Sequence, residues 1–138
     1  MGEIGLLFFT QNPESRTRLK ALLWWTGRLR PGVRRFGSAR VPMDEALAQV
    51  TVDLSNRPFL HLEVNLPSGG AGLDPQLLKE FWRAVSIHGG MTLHISVPYG
   101  ENTHHILEAV FKAAGRALDA ATQPEPRAQG VPSTKGVL

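Results

Sequence analysis

Two adjacent histidines and a glutamate begin the last predicted helix, in the run His104-His105-Ile106-Leu107-Glu108 that follows a turn at 98–102. Residues three and four apart share a helix face, so Glu108 can bind a metal ion together with either histidine. Adjacent residues point about 100° apart, so the two imidazoles suit two ions, or one ion and a partner, better than one shared ion. An imidazole beside a carboxylate favours zinc, iron or manganese. The alternative is an exposed helix start with solvated side chains.

The strands that hold this motif are indicated by alternation of apolar and polar residues. Alternation at 49–54 and at 59–66 predicts two half-buried strands, joined as a hairpin through a turn at 55–58. A third alternating strand is predicted at 91–97, shortly before the histidine motif. We expect the hairpin to present one apolar face to the rest of the fold.

Two helices follow from capping residues and apolar stripes. The first is predicted from Pro75, with Asp74 as its N-cap, to an end at Gly89-Gly90. The second begins at Asn102 or Thr103 as the cap and carries an apolar stripe along its length. We therefore predict an α+β unit in the order strand, strand, helix, strand, helix, with the helices packed on one face of a small sheet.

Length and composition fit a single small soluble domain, with 138 residues and a formal net charge of +3. The sequence contains no cysteine, which excludes disulfides and thiolate metal ligands and suits a cytoplasmic protein. The apolar run 4–9 is too short to span a bilayer and lacks the basic start of a signal peptide. We expect no membrane association.

Positive charge is concentrated in residues 1–40, which hold eight basic residues against Glu3 and Glu14. Arginines bind phosphates and Trp24-Trp25 can stack on bases, so an Arg-rich nucleic-acid-binding module is one interpretation. The interpretation that we favour is a mis-started or frame-shifted reading of a GC-rich gene, which yields arginine and tryptophan without selection. We therefore do not expect a nucleic-acid partner.

Several separate motifs in register resemble the imidazoleglycerol-phosphate dehydratases, the manganese-dependent dehydratases of histidine biosynthesis. In the family's order and at family-like spacing, they are GVRRFG at 32–37, VPMDEA at 41–46, DLSNRPFL at 53–60, MTLHI at 91–95, GENTHHILEAVFKA at 100–113 and VPSTKGVL at 131–138. The complete family enzyme has a further half with its own His-His-x-x-Glu motif, which this sequence lacks. The resemblance therefore implies a C-terminal half-domain, one copy of a two-copy pseudo-repeat, which alone would expose apolar surface.

Three segments follow from this resemblance. Residues 1–31 are an unmatched basic leader, artefactual or disordered. Residues 32–122 form the dehydratase half-domain, and residues 123–138 form a loop and a substrate-contacting tail.

The resemblance also implies the metal ligands. His104, His105 and Glu108 are expected to bind manganese, and Glu108 is also the expected catalytic carboxylate that moves protons. Glu80 stands where many relatives carry a metal-binding histidine, but an exposed helix residue explains it as well. The remaining histidines are assigned no role.

Substrate contacts are implied at Arg35, Arg57, Lys112, Ser133, Thr134 and Lys135. The arginines suit the substrate phosphate because a guanidinium bonds it bidentately. Without the resemblance, each arginine would be read as a surface charge, Lys112 as a solvent-facing helix residue and 133–135 as a disordered terminus.

The implied reaction converts D-erythro-imidazole-glycerol phosphate to imidazole-acetol phosphate and water, with two Mn²⁺ ions per site in the complete enzyme. The implied partners are this phosphorylated imidazole and further copies of the chain, in a homo-oligomer built from trimers. Because only one of the two motifs is present, we expect the chain to be inactive alone. The alternatives are a catalytically inactive metal-binding fragment and the Arg-rich nucleic-acid-binding module.

Overall fold

The computed structural model describes residues 32–68 and 74–127 of the chain. Its elements are β1 (Phe36–Met43), β2 (Ala46–Asp53), β3 (Phe59–Glu63), α1 (Pro75–Gly89), β4 (Thr92–Tyr99) and α2 (Thr103–Thr122). The strands form one sheet in the order β1-β2-β4-β3. Side chains of both helices join the apolar core on one face of this sheet, so the predicted α+β class is confirmed.

The strand β1 was not predicted, because glycine and alanine among its inward-facing residues leave little apolar alternation. It pairs antiparallel with β2 through a two-residue turn formed by Asp44 and Glu45. Gly37 approaches α2 so closely that a Cβ there would overlap the carbonyl oxygen of Ala117 and lie 2.7 Å from the backbone nitrogen of Ala121. Close packing of strand on helix therefore requires glycine at this position.

The predicted hairpin between the strands at 49–54 and 59–66 is wrong. β2 pairs antiparallel with β4 and β3 pairs parallel with it, so β4 lies between them. The intervening segment crosses the start of β4, where Thr92 Oγ1 donates to the carbonyl oxygen of Arg57 at 3.0 Å and contacts Ser55 Oγ at 3.3 Å. Alternation identifies the two strands, but their pairing depends on a strand that comes later in the chain.

The helix α1 begins after Asp74, the predicted N-cap, and ends at Gly90 in the left-handed conformation with φ 58°. Its Trp82 is buried in the core, whereas Leu77 and Phe81 are 60% and 40% exposed. The helix layer thus carries uncovered apolar side chains, in keeping with the expectation for one copy of a pseudo-repeat. Neither helix in the described ranges is long and apolar enough to span a membrane.

The opposite face of the sheet is largely polar. Residues Ser38, Thr51, His94 and His61 form one row across its four strands. The imidazole rings of His61 and His94 stack with their centroids 5.4 Å apart. These two histidines therefore belong to the sheet face and not to the motif at the start of α2.

Candidate active site

The histidine motif begins in the first turn of α2, where Asn102 caps the helix. The side-chain oxygen of Asn102 accepts the backbone N–H of His104 at 2.9 Å and that of His105 at 3.2 Å, as an N-cap does. Asn102 is one of the two caps that the sequence predicted, while Thr103 is the first helical residue and is buried. Helical geometry from this point directs the two imidazoles apart.

One face of α2 presents His104, Glu108 and Lys112 at intervals of one turn. His104 Nε2 lies 3.3 Å from Glu108 Oε2, and Lys112 Nζ lies 2.6 Å from Glu108 Oε1. The hydrogen bond from Lys112 lowers the pKa of Glu108, against the opposing effect of burial. Glu108 is therefore ionised at neutral pH, in the form that binds a cation.

The second histidine, His105, faces the turn between β1 and β2. Its Nδ1 is 2.7 Å from Glu45 Oε2, and its Nε2 is 3.5 Å from Asp44 Oδ2. The ring centroids of His104 and His105 are 6.2 Å apart, so the imidazoles diverge as their positions on a helix require. The hydrogen bond with Glu45 raises the pKa of His105, and the charges of Glu45, Asp44 and Glu108 add to this increase.

Sequence reasoning missed both acidic residues of this turn. Glu45 lies 60 residues before His105, and the contact exists only because β1 and β2 bring their turn to the start of α2. The available signal was an Asp-Glu pair between two strands, and it becomes visible only once β1 is recognised.

The geometry yields two pairs of donors instead of one cluster. Nε2 of His104 lies near the carboxylate of Glu108, and Nε2 of His105 lies near that of Asp44. An imidazole nitrogen beside a carboxylate is a donor set that fits manganese, iron or zinc. Among residues 32–68 and 74–127, no group of three or more histidine, aspartate or glutamate side chains is arranged to hold a metal ion. Each pair therefore fits part of a coordination shell, and further ligands are needed to complete it.

The carboxylate of Glu80 is exposed on α1 and accepts a hydrogen bond from Gln76 Nε2 at 3.0 Å. Within the part of the chain that the structure describes, it forms no metal-holding group with the histidine motif. The role of Glu80 as a ligand stays a prediction.

Arg35 is buried, and its guanidinium donates hydrogen bonds to both carboxylate oxygens of Asp53. Arg35 Nε donates to Asp53 Oδ1 at 2.7 Å and Nη2 donates to Oδ2 at 3.2 Å. The guanidinium also lies over the ring of Phe36, 4.9 Å from its centroid. Arg35 is thus no surface charge, whereas Arg57 is exposed. Contact of either arginine with a phosphate stays a prediction.

The length of the fold separates these arginines from the histidines. The backbone N–H of Arg35 donates to the carbonyl oxygen of Ala121 near the end of α2, and His104 lies at its beginning. Arg57 contacts the start of β4, while Glu45 bonds the backbone beyond the end of that strand. Because a helix of 20 residues is about 30 Å long, one small molecule cannot touch residues at both ends of α2.

Four predicted substrate contacts remain, Lys112 and three residues of the tail. Lys112 pairs with Glu108 and so belongs to the face of α2 that carries His104. The tail residues Ser133, Thr134 and Lys135 lie outside the described residues.

Comparison with known proteins identifies relatives of the chain. The family model described as imidazoleglycerol-phosphate dehydratase matches residues 21–118, a range that begins within the segment 1–31 that was predicted to be unmatched. The imidazoleglycerol-phosphate dehydratase of Halalkalibacterium halodurans is 58% identical over 108 residues, which are 78% of this chain and 56% of that protein. The Bacillus subtilis protein of the same name is 56% identical over the same shares. The chain thus spans about half the length of these curated relatives.

Solved structures of the same family are similar to the fold described above. The crystal structure of IGPD from Pyrococcus furiosus in complex with (S)-C348 has a TM-score of 0.74 and 42% identity, covering 88% of this chain and 68% of that one. The imidazoleglycerol-phosphate dehydratase of Staphylococcus aureus has a TM-score of 0.68 and 38% identity, covering 83% of this chain and 71% of that one. From the extent of the family match and the identity to these relatives, the chain belongs to the imidazoleglycerol-phosphate dehydratase family.

Proposed function

We propose that this chain contributes part of a dehydratase site that converts D-erythro-imidazole-glycerol phosphate to imidazole-acetol phosphate and water. Family membership supports this reaction. The observation that carries the proposal is the start of α2, where two diverging imidazoles each place Nε2 near a carboxylate, of Glu108 and of Asp44. This arrangement is suited to two ions, one on each histidine, and not to one ion shared by both.

The ions we propose are Mn²⁺, held by His104 with Glu108 and by Nε2 of His105. When bound, a divalent cation supplies Lewis acidity that favours removal of a proton from a weakly acidic carbon. The lowered pKa of Glu108 makes its carboxylate a better metal ligand than a general base, because a base works best with a pKa near the working pH. We therefore assign Glu108 to the metal, and its role as the carboxylate that moves protons stays a prediction.

Binding of the substrate phosphate falls to Arg35, Arg57 and the tail residues 133–135. In one chain Arg57 lies a sheet length from the histidines, so the phosphate bound at one end belongs to a different site from the metal bound at the other. We therefore propose that a complete site combines residues from more than one subunit, in the homo-oligomer built from trimers that the family resemblance implies. The exposed Leu77 and Phe81 of α1 supply apolar surface for a further segment of the enzyme.

Manganese titration of the purified chain tests the metal site. We expect weak binding that is lost in the double variant His104→Ala, His105→Ala. The matched control is His61→Ala, His94→Ala, which removes the two stacked histidines of the polar sheet face and should leave manganese affinity unchanged. Equal affinity in the two double variants would reject the proposed site.

Growth of a histidine-requiring, dehydratase-deficient bacterium tests the reaction. We expect no growth with this chain alone, because its described residues offer only pairs of metal donors. Growth should return when a second polypeptide supplies the remaining length of the relatives. Growth with the chain alone would show that one motif suffices.

A second candidate is a catalytically inactive metal-binding fragment, which the incomplete coordination shells also fit. It predicts that manganese binds to the motif but that no complementing polypeptide restores growth without histidine. The two functions are thus distinguished by the same pair of experiments.

A further inference from the structure

The glutamate of the β1–β2 turn, Glu45, makes three hydrogen bonds at the start of α2. Its Oε1 accepts the backbone N–H of Glu101 at 3.1 Å and that of Asn102 at 2.7 Å. Its Oε2 lies 2.7 Å from Nδ1 of His105. One carboxylate therefore bonds both the helix cap and the histidine that follows it.

The turn itself holds this carboxylate in place. Only two residues join β1 to β2, since Met43 is already paired with Ala46. Asp44, the first of the two, has a left-handed φ of 46°, which aspartate tolerates better than most residues. Glu45 is thus presented by a short turn between two paired strands.

The charge on Glu45 decides which nitrogen of His105 carries the proton. Its Oε1 accepts two backbone N–H groups and its Oε2 faces Nδ1 of His105, so both oxygens of the carboxylate act as acceptors. Neutral His105 must therefore donate from Nδ1, which leaves the lone pair of Nε2 available. Asp44 Oδ2 is 3.5 Å from Nε2, a much longer contact than the 2.7 Å between Glu45 Oε2 and Nδ1, so the shorter hydrogen bond holds the proton on Nδ1.

We propose that Glu45 is a positioning residue for His105, which fixes its Nδ1–H tautomer and so presents Nε2 to the metal ion. A carboxylate or carbonyl behind a histidine ligand commonly plays this role, and its loss weakens metal affinity. The metal-binding part of the inference rests on the proposed function. The tautomer does not, since it follows from hydrogen bonds within the chain.

The variant Glu45→Gln tests this assignment without removing the hydrogen bonds to the start of α2. Its amide oxygen can still accept the N–H groups of Glu101 and Asn102, which directs the amide NH₂ towards Nδ1 of His105. Because that NH₂ donates, Nδ1 must become the acceptor and Nε2 must carry the proton. Glu45→Ala is the second variant, in which the hydrogen bonds to Glu101 and Asn102 are lost together with the contact to His105. The matched control is Glu63→Gln, an exposed carboxylate 3.9 Å from His61.

The first measurement is the ¹⁵N spectrum of the histidine rings in the metal-free full chain, at a pH where they are neutral, with His105 assigned from the His105→Ala spectrum. We expect Nδ1–H in the parent chain and in Glu63→Gln, and Nε2–H in Glu45→Gln. Circular dichroism should show that Glu45→Gln keeps the parent fold. An unchanged tautomer in Glu45→Gln would overturn the proposal.

The second measurement is Mn²⁺ affinity by calorimetry. Glu45→Gln should bind about 10-fold to 100-fold more weakly than the parent, and Glu63→Gln should bind equally well. A tautomer switch in a chain that binds no Mn²⁺ would support the assignment of the His105 tautomer to Glu45 and reject the proposed function. Binding by the parent chain that Glu45→Gln leaves unchanged would support the metal site and reject the positioning role.

Discussion

The ion pair between Arg35 and Asp53 should be a main source of stability at the end of the sheet opposite the histidines. In the variant Asp53→Asn the side chain keeps its shape, but the buried guanidinium loses its carboxylate. Breaking a fully buried pair costs about 3–5 kcal/mol, whereas an exposed pair contributes about 0–1 kcal/mol. The two side chains are 10% and 22% exposed, so the pair lies nearer the buried limit. We expect the free energy of unfolding to fall by about 2–3 kcal/mol.

Urea unfolding of the full chain, followed by circular dichroism, measures this loss, and the Tm should fall by about 10 °C or more. Glu125→Gln is the matched control, because it breaks a pair whose arginine, Arg127, is 89% exposed. That control should change the unfolding free energy by less than about 0.5 kcal/mol. Manganese affinity of folded Asp53→Asn should equal that of the parent, since the histidines lie at the other end of α2. Equal losses of stability in the two variants would refute the assignment of Arg35 as a buried structural residue.

Three further predictions concern the elements that carry the site. Gly37→Ala should lower the unfolding free energy by about 3 kcal/mol, because its Cβ meets the backbone of α2, and urea unfolding measures this loss. Asn102→Ala should lower it by about 1 kcal/mol and weaken manganese binding, and Asn102→Ser should restore most of both. Glu45→Gln should lower the free energy of unfolding most between pH 4.5 and 6.5, the ordinary pKa values of Glu45 and His105. Unfolding of the parent and the variant across this pH range measures the difference. Glu45 loses its contribution as the pH falls towards its pKa of about 2, and His105 loses its contribution as the pH rises through its raised pKa.

Features that depend on local sequence could be predicted. The caps Asp74 and Asn102 and the two helices follow from residue preferences within a few positions, and the structure confirms them. The divergence of His104 and His105 follows from the helix alone. The strands at 49–54 and 59–66 were found for the same reason, since alternation is read within each segment.

Features that depend on distant residues could not be predicted. The hairpin was assigned to neighbouring strands, whereas β4, later in the chain, lies between them. The small residues of β1 concealed that strand, and with it the turn that brings Glu45 to His105. No local pattern in the sequence indicates that the guanidinium of Arg35 bonds Asp53, which lies 18 residues later.

The distance between Arg57 and His104 has a genetic consequence. Suppose that each site takes Arg57 from one subunit, to bind the phosphate, and His104 from another, to bind the metal. A change at Arg57 and a change at His104 then remove different components of the site. Two alleles that are inactive singly, one altered at each position, would then restore growth without histidine when expressed together with the complementing polypeptide. Mixed oligomers would contain some sites in which both contributed ends are intact. One allele carrying both changes, expressed beside either single variant, would give no such rescue.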